Sequence, residues 1–316
     1  MPVNRHQKVG IFPAAGGIGG GTVKHILKRL SPEDLILIAR HPEKLAAAKD
    51  LGAEVRQADF DDDTAIQTSF RGIDILFLIS YASVEHEYRT ERHKVAVDAA
   101  IENGVKYIFY GSLGFAGSSD NKTSVAHVMQ PHLDTEKYLE DCRKAHPGFD
   151  YTIIREGLYT ESYPLYTAFF DPTNPSREIK IPHDGSGPGV AWVKREELGE
   201  GTAELISRFV RKPEEFPYRG KTVRLTGNKT LSLSETVKIL GEIANAPVRI
   251  TEVSVDEFAT LSRVPPGFTY RGFDFKVWAT AFEAFRRGEA ADASPLLKEL
   301  LGREPEDFKT TVQNSI

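Results

Sequence analysis

The residues best placed to do chemistry begin near the start of the chain. A short apolar run over residues 9–12 leads into Pro13-Ala14-Ala15-Gly16-Gly17-Ile18-Gly19-Gly20-Gly21. Five glycines fall within six residues, and Val23, Ile26, Leu27 and Leu30 then mark the i, i+3, i+4, i+7 stripe of an amphipathic helix. Strand, glycine turn and helix together make a phosphate cradle. The glycines let the backbone approach a pyrophosphate, and the free N–H groups and dipole of the helix N-terminus point at it. The register is Pro13-x-x-Gly16-x-x-Gly19, with proline where the dinucleotide fingerprint has its first glycine. Beyond the second apolar run, residues 35–39, stand Arg40 and Lys44. A site for an unphosphorylated dinucleotide wants Asp or Glu at that place for the ribose hydroxyls. Here the acids, Glu33 and Asp34, lie at the opposite end of the run. Two cations one helical turn apart can reach a single phosphate.

The elements that must position these residues follow in a regular alternation. Strands are expected at 9–12, 35–39, 54–58, 73–79, 105–110 and 151–155, separated by helices, the longest near 88–103 and 134–145. Asp61, Asp62 and Asp63 supply an N-cap for a short helix ending at Phe70. Alternating strands and helices at this spacing mean right-handed βαβ units and a doubly wound parallel sheet. In such a sheet ligands bind beyond the carboxyl ends of the strands. The positions to inspect are therefore 13–21, Arg40, Asp59 and Phe60, Ser80, Tyr81 and Ala82, and Ser112. Asp59 reads as a loop and capping residue that also reaches the adenine side.

The rhythm breaks after residue 155. Residues 156–189 hold five prolines and an aromatic cluster with Tyr159, Tyr163 and Tyr166, an excursion from the sheet. Residues 190–193 and a helix at 196–210 return towards it, and a late strand is expected at 223–226. A capping box, Ser232 with Glu235, opens a further helix, and 248–255 reads as a strand. The last stretch reads as helical and aromatic, with Phe268, Tyr270, Phe273, Phe275, Trp278, Phe282 and Phe285. The expected organisation is a Rossmann-like α/β domain at 6–155 returning at 190–227. A smaller α+β substrate-side domain then takes 156–189 plus 228–316.

Composition narrows the function classes. A net charge of −5 supplies no basic field for nucleic acid. No apolar run reaches the length of a membrane span, and residues 1–8 are polar with no signal-peptide core, so the expected compartment is the cytoplasm. The single cysteine, Cys142, excludes an internal disulfide and is expected to pack in a helix. The nine histidines show no metal-ligand spacing, so no metal is expected. Nothing in the sequence sets an oligomeric state.

In order and spacing these motifs resemble the NmrA-like branch of the short-chain dehydrogenases, within it the NADPH-quinone-oxidoreductase-like members. The match rests on the glycine loop, Ala39-Arg40-His41-Pro42-Glu43-Lys44, and Gln57-Ala58-Asp59-Phe60-Asp61-Asp62. It continues through Asn103-Gly104-Val105-Lys106-Tyr107-Ile108 running into Ser112, Thr135-Glu136-Lys137, and Ile154-Arg155-Glu156-Gly157-Leu158-Tyr159. The resemblance implies NADP(H) in a cleft between the two domains, cradled by Pro13, Ala14, Ala15, Gly16, Gly17, Ile18 and Gly19. Arg40 and Lys44 would hold its 2′-phosphate, and Asp59, Phe60, Ser80, Tyr81 and Ala82 would line the adenosine side. Gly157, Leu158 and Tyr159 would pass near the nicotinamide. Lys137 would bind the nicotinamide ribose and support proton transfer, and Ser112 would polarise a carbonyl. The helix carries Leu133-x-x-x-Lys137 where many short-chain dehydrogenases have Tyr-x-x-x-Lys. His132 and Tyr159 are then the candidates to replace the missing phenol.

Two functions remain open on the sequence. One is an NADPH-dependent oxidoreductase acting on an apolar aromatic carbonyl or quinone-like small molecule, with Tyr163, Trp192, Phe268 and Phe273 lining the substrate side. The other is a catalytically silent NADP(H)-binding redox sensor acting through a regulatory protein partner.

Overall fold

In a computed structural model, which describes residues 7–266, 268 and 270–316, seven strands form one parallel sheet. They are β1 (Val9–Phe12), β2 (Leu35–Ala39), β3 (Glu54–Gln57), β4 (Ile75–Ile79), β5 (Tyr107–Leu113), β6 (Asp150–Glu156) and, late in the chain, β8 (Lys221–Leu225). Their spatial order is β3-β2-β1-β4-β5-β6-β8. The start of the first expected domain, His6, and the polar segment before it lie outside the described residues. The central strands β1, β2 and β4 are apolar on both sides because helices cover both faces. Ile75 and Phe77 of β4 point into one apolar cluster, Leu76 and Leu78 into the other.

On the first face lie α1 (Gly17–Ile26), α2 (Ala46–Asp50) and α6 (Arg195–Arg211). On the second lie α3 (Asp63–Ser69), α4 (His86–Glu102) and α5 (Gln130–Ala145). Asp62 caps α3, its side chain accepting from the Ala65 N–H at 3.0 Å. Cys142 is buried beside Leu139 in the second cluster.

A third apolar cluster lies beyond the carboxyl ends of the strands. It gathers α7 (Leu233–Ile243), α8 (Val255–Leu261), α9 (Phe275–Trp278), α10 (Thr280–Arg286) and α12 (Phe308–Gln313), while α11 (Leu296–Leu301) packs back on α6. The capping box is formed at Ser232 and Glu235. Residues 190–193 return as an extended segment making only single bridges, Tyr159 to Val193 and Val190 to Leu231. The proline-rich excursion contains a strand of its own, β7 (Glu178–Ile181), which pairs in parallel with β9 (Arg249–Glu252) in a separate two-stranded sheet. The aromatic stretch becomes helical only at Phe275; Phe268, Tyr270 and Phe273 precede it in irregular backbone.

Helices α1 and α6 pack through glycine. A Cβ at Gly199 would lie 2.7 Å from the Gly21 carbonyl carbon and 2.8 Å from the Thr22 nitrogen. Gly199→Ala should therefore push the two helices apart and lower stability by about 1–3 kcal/mol, the range for overpacking a filled interior. Urea denaturation of the purified variant measures it.

Candidate active site

The glycine turn closes as its register predicts. Gly16 sits at φ 73°, and a Cβ on Gly19 would lie 2.0 Å from the Pro13 carbonyl oxygen, so helix and turn touch backbone to backbone. Gly16 caps α1 with no side chain, and the first turn carries no acid. The first N–H groups of a ten-residue helix are thus left for an anion.

This turn forms one wall of a cleft of about 350 Å³. Pro13, Ala15, Gly16, Gly17, Ile18 and Gly19 line it, facing Arg40, His41 and Lys44 after β2, Asp59 and Phe60 after β3, and Ser80, Tyr81 and Ala82 after β4. Arg40 is two-thirds exposed and lies 3.7 Å from an Asp59 carboxylate oxygen, so it is free to turn toward an incoming phosphate. Phe60 is buried and packs against Phe12 and Tyr81, with ring centroids 4.5 and 5.2 Å apart. Two residues expected at the cofactor, Ala14 in the cradle and Gly157 near the nicotinamide, stand behind the wall. Ala14 is buried, its N–H donating to the Ile38 carbonyl at 2.7 Å. The Gly157 N–H donates to the Leu225 carbonyl at 2.8 Å.

At Gly17, Ile18, Ile79, Ser80 and Ala82 the cleft continues into a second cavity of about 250 Å³. Its walls come from Ser112 and Leu113 of β5, His132 of α5, Glu156, Leu158 and Tyr159 at the end of β6, and Tyr166, Tyr270 and Trp278. Tyr166 and Trp278 pack with centroids 5.4 Å apart, and the Trp278 indole N–H donates to the Leu165 carbonyl at 2.9 Å, which fixes the aromatic wall. Four expected substrate residues are placed elsewhere. Tyr163 and Trp192 are interior, both packed on Phe308, with the Trp192 indole donating to Thr236. Phe268 and Phe273 pack on each other outside the cavity wall.

The register of α5 differs from expectation. The helix starts at Gln130, with Pro131 in its first turn, and buries His132, Thr135, Glu136 and Leu139. The pair four residues apart that faces the sheet is His132 and Glu136, not Leu133 and Lys137. Lys137 is three-quarters exposed and donates to Asp141 at 2.7 Å, one turn along the same solvent face. Glu136 accepts from the Ser112 hydroxyl at 2.7 Å and from both Nε and Nη2 of Arg155, at 3.0 and 2.7 Å. The Ser112 proton is therefore committed to Glu136 rather than to a ligand. Arg155 also donates to the Ser118 and Asn121 carbonyls, tying down the loop after β5.

The centre of the site is Arg89 of α4, which the motif reading missed. It is buried, donating to the Ser80 hydroxyl at 2.6 Å, the Ser83 carbonyl at 2.8 Å and His132 Nε2 at 2.9 Å. Among the described residues no carboxylate pairs with it, and burial pulls its pKa down. His132 accepts at Nε2, so its proton sits on Nδ1, 3.4 Å from the Tyr110 hydroxyl. His93 likewise accepts from the Tyr81 N–H at 2.8 Å and presents Nδ1 to Thr135 at 2.8 Å. Burial, then the Arg89 charge, hold both imidazoles well below the usual histidine pKa, so both are neutral. Glu156 was also missed as a site residue. Burial pushes its carboxyl up to about 8 against the lowering effect of the Tyr159 hydroxyl, which donates to Oε2 at 3.1 Å. No sequence pattern marks either residue, because both are defined by burial against distant segments.

Residues 5–294 match the NmrA-like family. The chain belongs to that family. Among similar proteins, quinone oxidoreductase 2 of Escherichia coli is 29% identical over 93% of this chain and 93% of its own. An NmrA-like family domain-containing oxidoreductase of Aspergillus flavus is 28% identical over 93% and 90%. The crystal structure of a Citrobacter sp. triphenylmethane reductase complexed with NADP(H) superposes with a TM-score of 0.76 at 27% identity, covering 98% of this chain and 100% of that one. For the Escherichia coli quinone oxidoreductase complexed with NADPH the TM-score is 0.77 at 26% identity, covering 97% and 99%. In this NmrA-like chain no group of three potential metal ligands occurs among the described residues, and no helix among them is long and apolar enough to cross a membrane.

The Arg155–Glu136 pair is fully buried. Arg155→Leu should strand the Glu136 charge and lower stability by about 3–5 kcal/mol, the usual result of removing one partner of a buried pair. Lys137→Ala, on the solvent face, should unfold with the wild type. Parallel denaturation curves test the contrast.

Proposed function

We propose that this protein uses NADPH to reduce an apolar, aromatic carbonyl or quinone-like small molecule. The cofactor is NADP(H), the nucleotide that both structural neighbours hold. The residues present fit it: a glycine turn with free helix N–H groups, a cationic corner at Arg40 and Lys44, and an aromatic adenosine wall at Phe60 and Tyr81. Arg40 and Lys44 hold the 2′-phosphate, and the turn carries the pyrophosphate. The bound cofactor supplies the hydride.

The observation that carries the substrate reading is the second cavity. It opens from the cleft at Ser80 and Ala82, and its wall is aromatic, with Tyr159, Tyr166, Tyr270 and Trp278. A flat apolar ring stacks there with an edge toward Arg89 and Glu156. A protein that only senses the nucleotide has no use for an aromatic-walled cavity beside it. All four of these aromatic residues come from the 156–189 and 228–316 stretches, whereas most of the other lining residues come from 6–155. The role of Lys137 passes to groups inside the cavity, because its own amine lies on the opposite side of α5.

Three measurements test this. NADPH consumption should rise with a panel of quinones and aryl carbonyls, and a wild type that binds NADPH but consumes none with any acceptor overturns the proposal. Arg40→Ala should weaken NADPH by about ten- to hundred-fold, the worth of one charge-assisted contact, while leaving NADH nearly unchanged. Equal losses for both nucleotides would take Arg40 off the phosphate. Lys137→Met should keep kcat and NADPH affinity close to wild type, since its ammonium touches neither cleft nor cavity.

A further inference from the structure

We propose that Glu156 is the acid that protonates the acceptor's oxygen, with the unpaired charge of Arg89 steadying that oxygen while it is negative. This rests on the redox reading above. The geometry that supports it is local and specific. Glu156 ends β6 at the cavity wall and is 2% exposed. One carboxyl oxygen, Oε2, is held by the Tyr159 hydroxyl at 3.1 Å. The other, Oε1, is buried and has no hydrogen-bond partner in the protein. A buried carboxylate oxygen without a donor is costly, whereas a protonated one at that position is a donor in want of an acceptor. Among the described residues Glu156 is the only carboxyl group lining this cavity.

The surroundings agree. Besides Glu156, the titratable and charged groups facing the cavity from the packed elements are Arg89, His132, Tyr159, Tyr166, Arg195 and Tyr270. His132 is neutral, with its accepting nitrogen turned to Arg89. Tyr159 has its pKa pushed well above the usual phenol value, first by burial and then by Glu156, so it stays protonated and serves as the donor that holds Oε2. Burial keeps Glu156 protonated up to about pH 8. Four of the five Arg89 N–H groups are taken by Ser80, Ser83 and His132, leaving one on Nη1.

The balance is simple. The acceptor gains a hydride from bound NADPH, which becomes NADP⁺, and a pair of electrons is left on its oxygen. The Glu156 O–H bond breaks as the acceptor's O–H bond forms. The Glu156 carboxylate keeps its Tyr159 hydrogen bond and recovers a proton from solvent when product leaves. The sum is acceptor plus NADPH plus one proton giving reduced acceptor and NADP⁺.

Glu156→Gln keeps the shape and an oxygen for Tyr159 but has no acidic proton. It should lower kcat with a quinone or aryl carbonyl by about 10²- to 10⁴-fold, the usual worth of a positioned acid. NADPH affinity, read by fluorescence titration, should change less than about threefold, well short of that loss. Wild-type kcat should fall as pH rises through about 8, where the acid loses its proton, and the residual rate of Glu156→Gln should lack that limb. An independent readout needs no turnover. Infrared spectra of the cofactor-free wild type should show a protonated-carboxyl band at pH 7 that titrates away near pH 8 and is missing in Glu156→Gln. A Glu156→Gln enzyme with kcat near wild type, or one that keeps the alkaline limb, overturns the assignment, as does the absence of the band. If the wild type is active these outcomes sink only the role of Glu156; a wild type inert with every acceptor sinks the redox reading and this role with it.

Discussion

The structure depends on the reversal of strand order between β1 and β4. These two strands are neighbours in register, Val9 beside Ile75 and Phe12 beside Leu78, yet the helices that follow them cover opposite faces of the sheet. A crevice has to open between the two connections at the carboxyl ends. The glycine turn after β1 and the Ser80 loop after β4 are its two lips. Everything functional is arranged along that crevice: cations from β2 at one end, the cavity from β5, β6 and the C-terminal helices at the other. Close packing of α1 on α6 through Gly21 and Gly199 holds the first lip in place, and the buried Arg89 ties the second lip to α5.

The interior treats its two buried arginines differently, and the difference separates scaffold from chemistry. Arg155 is paired with Glu136 and saturates two loop carbonyls, so its charge is answered inside the protein. Arg89 has only a hydroxyl, a carbonyl and a neutral imidazole. A desolvated cation without an anion raises the energy of the empty site and favours any ligand that brings negative charge there. Glu156 is the complementary case, an acid that burial keeps protonated and whose Oε1 has no partner in the protein. Paired directly with Arg89 as an anion it would have satisfied both groups and spent the field that a reacting oxygen can use.

What the sequence made legible was local. The glycine register, the positions of Arg40 and Lys44, the caps at Asp62 and Ser232, and the alternation of strands all depend on residues a few positions apart, and all appear in the structure. What it hid was decided by faces and by distant packing. The side of α5 that meets the sheet depends on where the helix begins, and a start at Gln130 turns His132 and Glu136 inward and Lys137 out. The Phe268–Phe273 stretch reads as a cavity lining because it is aromatic, but the rings pack on one another, while Tyr270 between them reaches the cavity. Glu156 follows Arg155 at the strand end, where the two read as ordinary neighbouring charges, and only the fold shows Arg155 paired with Glu136 and Glu156 left without a cation.

The burial of the cavity then bears on the choice of acceptor. The charged and titratable groups that line it include two arginines, Arg89 and Arg195, the acid Glu156, and Tyr159, whose hydroxyl donates to Glu156. Arg89 and Glu156 can donate toward a ligand oxygen, and the nearby accepting nitrogen of His132 is already engaged by Arg89. A ligand whose polar edge donates would meet donors and lose its water for nothing, whereas a carbonyl or quinone oxygen finds partners it had in water and a field that grows in worth as its charge builds. In the proposed reaction, selectivity for an accepting oxygen against a hydroxyl or amine at the same ring position would therefore arise from unpaired donors that a wrong ligand leaves buried, and the aromatic wall need only supply area and orientation.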